Sequence, residues 1–343
     1  MPLTTQAITL ARRPVGEPRP EDFAHVEREC PEPAEGEVRL ETLWLSLDPY
    51  MRGRMSAGRS YAKPVEVGDV MVGQGIARVE SSSHPDHKPG DVVLAPTGWQ
   101  TQSVARGSDL VRLDPAPQPL TAALGVLGMP GMTAYSGLQM IGQPKPGETV
   151  VVAAGTGPVG ATVGQIARLR GCRAVGIAGG PDKCRLLTET FGFDAAVDHR
   201  APDFADRLKA ACPDGIDIYF ENVGGAVFTA VLPLLNDFAR VPVCGLVAQY
   251  NATEPPAGPD RVPELMRAAL SRRINIRGFL WFDFAHLLGD FQREVGVWVR
   301  DGRIKALEHR VEGLANAPQA LVDMLAGRNT GKTLVKIAAD APD

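Results

Sequence analysis

The sequence predicts an α/β protein in which a doubly wound parallel sheet stands beside a smaller, mostly-β domain. Three observations predict it. The first third reads as short strands broken by Gly and Pro; near Leu120 the rhythm changes to alternating strands and helices; and a GTGPVG turn joins the first apolar strand of that second region to an apolar-striped helix. At 343 residues the chain is long enough for two domains with cores of their own.

Up to about residue 120, the runs GEVRLETLWLSL, MVGQGIARVE and DVVLAP are β-rich, each opened by a turn such as Pro89-Gly90-Asp91. Pro115, Pro117 and Pro119 mark a rigid crossing. Beyond it come apolar strands at Thr149–Ala154, Arg173–Ala178, Ala195–Val197, Ile216–Phe220, Arg240–Leu246 and Asn275–Leu280. Helices separate them at Val159–Arg170, around Cys184–Thr190, and at Phe204–Ala211, Val227–Leu235 and Pro263–Arg272, and a last one spans His286–Arg300. Strands that are apolar throughout and joined by helices imply a parallel sheet covered on both faces. Their number and order match a dinucleotide-binding fold. The tail (EHRVEG, the helix Pro318–Leu325, then KTLVKI) returns to short strands. The expected domains are therefore 1–120 completed by 304–343, and 121–303.

Composition narrows the function. The formal net charge of −4 gives no broad pull toward nucleic acid or an anionic membrane. No run approaches the ~20 apolar residues of a membrane span, and the N-terminus lacks a signal-peptide core. Five scattered cysteines (Cys30, Cys172, Cys184, Cys212, Cys244) without a C-x-x-C pair argue against a disulfide framework and for a reducing cytoplasm.

In the turn Gly155-Thr156-Gly157-Pro158-Val159-Gly160, Gly155 allows the sharp bend and Gly157 lets a pyrophosphate approach the backbone. Gly160 lets helix and strand pack closely. Pro158 costs little, because the first helical turn has no acceptor for its missing N–H. The N–H groups and the positive dipole end of the helix, with Val159 in its first turn, face the phosphates. An Asp or Glu about twenty residues on would select NAD. Here the second strand ends in Gly179-Gly180, followed by Lys183 and Arg185, which suit a 2′-phosphate; Asp182 is the contrary sign. His199, just after the third strand, can bond the same phosphate. The expected cofactor is NADPH.

His84-Pro-Asp-His87 is the one close His pair, and its Ser/Pro loop suggests solvent exposure rather than zinc. No nucleophile elbow is present. The phenols are the better acid candidates: Tyr50 in LSLDPYMRGRM, Tyr135 in GMPGMTAY, and Tyr250 in AQYNATEPP beyond the fifth strand, where open α/β sheets bind ligands. Met51, Met55, Tyr61, Met129 and Trp281 are candidate walls for a flat apolar substrate, with core packing as the alternative for each.

Together LSLDPYMRGRM, GMPGMTAYSGLQ, VGQIARLRGCRAVGIAGG, DIYFENVGG, VCGLVAQYN and GKTLVKI resemble the zinc-independent medium-chain dehydrogenase/reductases. Within them the resemblance is to the prostaglandin reductase (leukotriene B4 12-hydroxydehydrogenase) and plant double-bond reductase branch. The stretch from Ile216 to Arg261 looks closer still to bacterial NADPH-dependent curcumin reductases. The resemblance implies a GroES-like domain beside a Rossmann domain, and dimers. LSLDPY stands where zinc-dependent relatives carry a cysteine ligand, and their Gly-His-Glu motif and cysteine lobe are missing. It further implies cofactor contacts from Gly157–Gly160, Lys183, His199, Asn222, Cys244, Gly245, Tyr250, Phe279, Trp281 and Asn329. Relatives often carry Tyr where His199 stands. The expected reaction is NADPH-dependent reduction of the C=C bond of an enone or enal by hydride transfer to the β-carbon. The nicotinamide ribose hydroxyl, Tyr250 or Tyr50 would stabilise the enolate oxygen, and Tyr250 or water would protonate the α-carbon. Quinone reduction and a non-catalytic NADPH-binding sensor are the alternatives.

Overall fold

The computed structural model describes residues 3–114 and 118–339; Pro115 and Pro117 of the expected crossing lie outside the described residues. The chain divides into two compact units. One takes the described residues up to Leu124 and again from Glu308 onward; the other is Gly125–Leu307.

The first unit is built on strands whose alternate side chains are buried. Glu37–Ser46 starts in strict alternation and is wholly buried from Thr42 on, around the apolar run Leu43-Trp44-Leu45. It sits inside a sheet of order Glu308–Glu312, Lys332–Lys336, Glu37–Ser46, Gly75–Ser82, Val92–Ala95, Val111–Arg112, with Gln102–Arg106 also paired to Glu37–Ser46. The C-terminal strand Lys332–Lys336 thus lies directly against the strand that leads into LSLDPY. A separate ribbon pairs Thr4–Leu10 with Phe23–Glu29. The MVGQGIARVE strand begins only at Gly75. At that residue a Cβ would stand 2.5 Å from Thr97 Oγ1 and 2.7 Å from the Trp44 carbonyl.

The second unit carries six parallel strands: β1 (Thr149–Val152), β2 (Arg173–Ala178), β3 (Ala195–Asp198), β4 (Ile216–Phe220), β5 (Leu235–Val243) and β6 (Asn275–Gly278). Their order is β3-β2-β1-β4-β5-β6, with every pairing parallel. This is the Rossmann arrangement. The winding reverses between β1 and β4, and ligands of such sheets bind where it reverses, at the carboxyl ends of the strands. β1 is buried at all four residues, as expected of a strand covered on both sides.

Two differences from the sequence reading have physical causes. β5 starts at Leu235, five residues earlier than expected. Its first half (LNDFA) is polar and irregular, with Phe238 exposed and left-handed at φ 61°, so the apolar signal begins only at Arg240. The last helix starts at Leu288, because Trp281–Leu287 forms tighter 3₁₀ turns with a kink at Phe284. Met129–Gly137 adds a helix whose residues from Pro130 on are all buried.

Candidate active site

β1 runs out at Val152, and the turn that follows hands the chain to the helix Pro158–Leu169, with Gly157 as its N-cap and Pro158 in its first position. The left-handed residue of this turn is Ala154 (φ 51°), not Gly155. Gly155 is needed for another reason: a Cβ there would stand 3.0 Å from Leu187 Cδ2 and 3.4 Å from the Ile177 carbonyl of β2. At Gly160 a Cβ would lie 2.4 Å from the Ala154 carbonyl oxygen and 2.8 Å from Gly155 Cα, so helix and turn can approach only without one. Gly157 differs, since a Cβ would meet a single atom, the Ala154 oxygen at 3.2 Å. The chain's own packing would have to give only slightly to admit a Cβ there, whereas a pyrophosphate lying against the backbone would leave it no room. The first helical turn, including Val159 and Gly160, presents N–H groups with no acceptor inside the helix.

At the carboxyl ends of β2 and β3 the structure gathers cations around Gly179. His199 Nε2 and Arg200 Nε each lie 2.9 Å from where a Cβ of Gly179 would be. Lys183 joins them electrostatically: burial and then Arg200 push its ammonium pKa down. The His199 imidazolium is disfavoured first by burial and then by Arg200, Asp198 favours it, and Lys183 opposes it. The one carboxylate among them, Asp198, is engaged by backbone: Gly180 N–H donates to it at 2.8 Å and Arg200 N–H at 2.9 Å, which hold its pKa down. Arg185, the second expected cation, forms an exposed ion pair with Asp182, the contrary acid. Arg200, which the sequence reading missed, stands in its place. Only the pairing of β2 with β3 reveals it: Asp198 lies beside Ala178 in the sheet, so the residues just after β3 fall beside Gly179-Gly180.

The ends of β1, β4 and β5 are tied through Asn222. Its Nδ2 donates to the Ala153 carbonyl at 2.8 Å, and its Oδ1 accepts the Cys244 thiol at 2.7 Å. Burial, then the neighbouring Glu221, raise the Cys244 pKa, which keeps the thiol a donor. Glu221 is itself 2% exposed, and its Oε1 accepts Tyr219 Oη–H and the N–H groups of Val223 and Gly224. Tyr250 follows a short turn, Val247–Gln249, and folds back toward β5. Its hydroxyl accepts Leu246 N–H at 3.4 Å and would stand 3.3 Å from a Cβ on Gly245. The structure therefore brings Tyr250, Gly245, Cys244 and Asn222 together.

A profile described as the N-terminal domain of oxidoreductase matches residues 6–113, and one described as zinc-binding dehydrogenase matches residues 158–294. The chain is 57% identical over 332 residues to the NADPH-dependent curcumin reductase of Escherichia coli (strain K12), covering 96% of each chain. It is 39% identical over 333 residues to prostaglandin reductase 1 of Bos taurus, covering 96% of this chain and 98% of that one. The crystal structure of CurA in complex with NADPH from Vibrio vulnificus superposes with a TM-score of 0.94 at 51% identity, covering 97% and 99% of the two chains. The chain belongs to the zinc-independent medium-chain dehydrogenase/reductases. Among the described residues, no group of three or more His, Cys, Asp or Glu is placed to hold a metal ion. His84 and His87 are half-buried rather than exposed, because the His84 ring fills the space left by Gly107 and His87 Nε2 bonds the Gly107 carbonyl.

Other positions expected from the residues or from the family separate into surface and core. Met51 and Met55 are corrections: both are 0% exposed in the cluster with Leu45, Leu47 and Trp99, so neither side chain can wall a substrate. Phe279 is also a core residue. It packs edge-on against Phe220, which leaves its backbone at the end of β6 as the part available to a cofactor. Tyr135 packs against Phe291, and its pKa is pushed up to about 12 by burial and then by its bond to Glu294. Met129 and Trp281 are half-buried, and Tyr61 is 59% exposed. Tyr50 is half-buried beside the core of the first unit; burial, then Asp48, raise its phenol pKa, so it stays protonated. Asn329 donates to the Gly331 carbonyl at 3.0 Å.

Proposed function

We propose that this chain reduces the C=C bond of α,β-unsaturated ketones or aldehydes with NADPH. The observation that carries the reading is the pairing of a glycine turn shaped for a pyrophosphate with a cationic pocket for a 2′-phosphate on the same sheet edge. The names of its relatives, an NADPH-dependent curcumin reductase and an NADP(+)-dependent 2-alkenal reductase of Nicotiana tabacum at 40% identity, supply the reaction class.

NADPH supplies hydride to the β-carbon. The chain's part is to bind and to donate protons. Gly155–Gly160 cradle the pyrophosphate, while Lys183, His199 and Arg200 hold the 2′-phosphate. Asn222, Cys244, Gly245, the Phe279 backbone, Trp281 and Asn329 flank the remainder. The nicotinamide ribose hydroxyl, Tyr250 or Tyr50 would stabilise the carbonyl oxygen as negative charge collects there, and Tyr250 or water would then give the α-carbon its proton. A phenol is a sound donor here, since it stays protonated far above neutral pH. Met129 and Trp281, half-buried in the second unit, are the chain's candidates for apolar surface against a flat electrophile.

NADPH oxidation at roughly 340 nm over a panel of enones, enals and quinones tests the class. Enones and enals turning over faster than quinones is the expected result; quinone preference overturns it, as does tight NADPH binding without turnover. Tyr250→Phe is expected to lower kcat by roughly 100-fold if it is the proton donor. Unchanged turnover removes it.

The same reading includes a homodimer working in the cytoplasm; all five cysteines are free, and no described helix is long and apolar enough to cross a membrane. β6 supports the dimer: it ends the sheet, all four residues are exposed, and it follows a helix exposing Val262, Met266 and Leu270 on one stripe. Ile276→Lys is expected to convert the dimer to a monomer in sedimentation, and an unchanged sedimentation coefficient counts against this edge.

A further inference from the structure

Asp48 and Lys332 form an ion pair with almost no access to water, their side chains being 6% and 3% exposed. Lys332 Nζ donates to Asp48 Oδ1 at 2.6 Å and to the Leu47 carbonyl at 2.6 Å. Ser46 Oγ–H donates to the other carboxylate oxygen. Backbone bonds continue the junction: Leu47 N–H to the Thr333 carbonyl at 3.1 Å, and Met51 N–H to the Asp48 carbonyl at 3.1 Å. Burial pushes the Lys332 ammonium pKa down, and Asp48 pushes it back up.

Stability alone does not account for such a pair. Removing two charges from water is costly, and an apolar pair of similar volume is often as stable or more so. What the pair has that an apolar contact lacks is direction. One ammonium reaches both the carboxylate and the preceding carbonyl, which fixes the turn against the strand in a single register. Its neighbours in sequence give that register a use. Asp48 stands two residues before Tyr50, and Lys332 three residues after Asn329, whose side chain is folded onto the Gly331 carbonyl.

We propose that Asp48 and Lys332 are positioning residues: a buried ionic clamp that locks the LSLDPY turn to the C-terminal strand, so that Tyr50 and Asn329 are held in one fixed relation for substrate and cofactor. The clamp touches neither ligand. It rests on the reading of Tyr50 and Asn329 given above, and it acts through them.

The test compares Asp48→Asn, Lys332→Met and the double variant with wild type, measuring Tm, kcat and KM with an aryl enone and NADPH, and binding of 2′,5′-ADP. Each single variant strands a buried polar group and lowers Tm. The double variant leaves no buried charge unpaired, although the Leu47 carbonyl loses its donor, and is expected to recover most of the Tm that the single variants lose. Its kcat/KM for the enone nevertheless stays roughly 10- to 100-fold down, because the reacting geometry is loosened. Binding of 2′,5′-ADP, which reads the Lys183–His199–Arg200 pocket, is unchanged. A double variant that recovers both Tm and kcat/KM overturns the clamp, leaving a purely structural pair. If the double variant does not fold, Asp48→Asn, which keeps size and shape, decides it below its own Tm: wild-type kcat/KM there overturns the proposal. Tyr50→Phe and Asn329→Ala separate the two levels. Wild-type kinetics in both would remove the site reading itself, whereas impaired kinetics in them beside a wild-type double variant removes the clamp alone.

Discussion

Gly160→Ala is expected to destabilise the protein by about 1–3 kcal/mol and to abolish NADPH binding, while Gly157→Ala leaves the fold intact and loses the cofactor. The two glycines are three residues apart in one turn, and their roles differ in what surrounds the missing Cβ. At Gly160 the obstruction is backbone, the Ala154 carbonyl at 2.4 Å and Gly155 Cα at 2.8 Å. Neither can swing aside as a side chain would, and Ala154 is already left-handed at φ 51°. The turn must therefore open, which displaces the N–H groups aimed at the pyrophosphate. At Gly157 a methyl group meets one atom at 3.2 Å and is otherwise free to occupy the approach of the phosphate. Thermal unfolding with and without NADPH measures both effects. A ligand at 100 times its Kd stabilises the native state by about 2.7 kcal/mol. Wild type should show that gain, Gly157→Ala should start from the wild-type Tm and gain almost nothing, and Gly160→Ala should start lower. Wild-type NADPH stabilisation of Gly157→Ala would mean that the pyrophosphate lies elsewhere.

The sheet was legible because its central strands β1, β2 and β4 are largely apolar runs bounded by turn residues. β2 and β4 fall at Arg173–Ala178 and Ile216–Phe220, the limits expected from the sequence. β5 was legible only in part. Its first residues pair with β4 through a register shift, and a strand bent at Phe238 has no periodic signature to find. The glycine turn was legible as a motif, but which glycine carries the backbone strain was not, because that depends on the atoms packed around each Cα. Met51 and Met55 show the limit from the other side. Methionines four apart on a helical turn suit a substrate wall and a core equally, and only burial separates the two. Arg200 was missed for want of register. Sequence places it two residues past the third strand, and only the β2–β3 pairing places it beside Gly179.

That pairing leads to the second large effect. Arg200→Ala and Lys183→Ala are each expected to lower the preference for NADPH over NADH by roughly 10- to 100-fold, the worth of one charge-assisted hydrogen bond of about 1.5–3 kcal/mol. NADH affinity itself should hardly change. With no anion bound, burial first and then the neighbouring cations depress the pKa values of Lys183 and His199. A 2′-phosphate between them reverses the sign of the field, and His199 gains most because it titrates closest to neutrality. The direction follows from linkage. In the free protein His199 titrates below its ordinary value, and beside the phosphate its pKa rises, so NADPH binding takes up a proton. NADPH affinity is then highest below the free-state pKa and falls as pH rises through the bound-state pKa. Over about pH 6.5 to 8.5, above the phosphate's own second pKa near 6, the NADPH/NADH affinity ratio should decline for wild type. It should stay flat for His199→Tyr, which keeps a hydrogen-bond donor but does not titrate in that range. Isothermal titration with both cofactors at three pH values reads the ratio directly. A wild-type ratio independent of pH would place His199 outside the phosphate's reach, and a ratio unmoved by Arg200→Ala would return the second cation's place to Arg185.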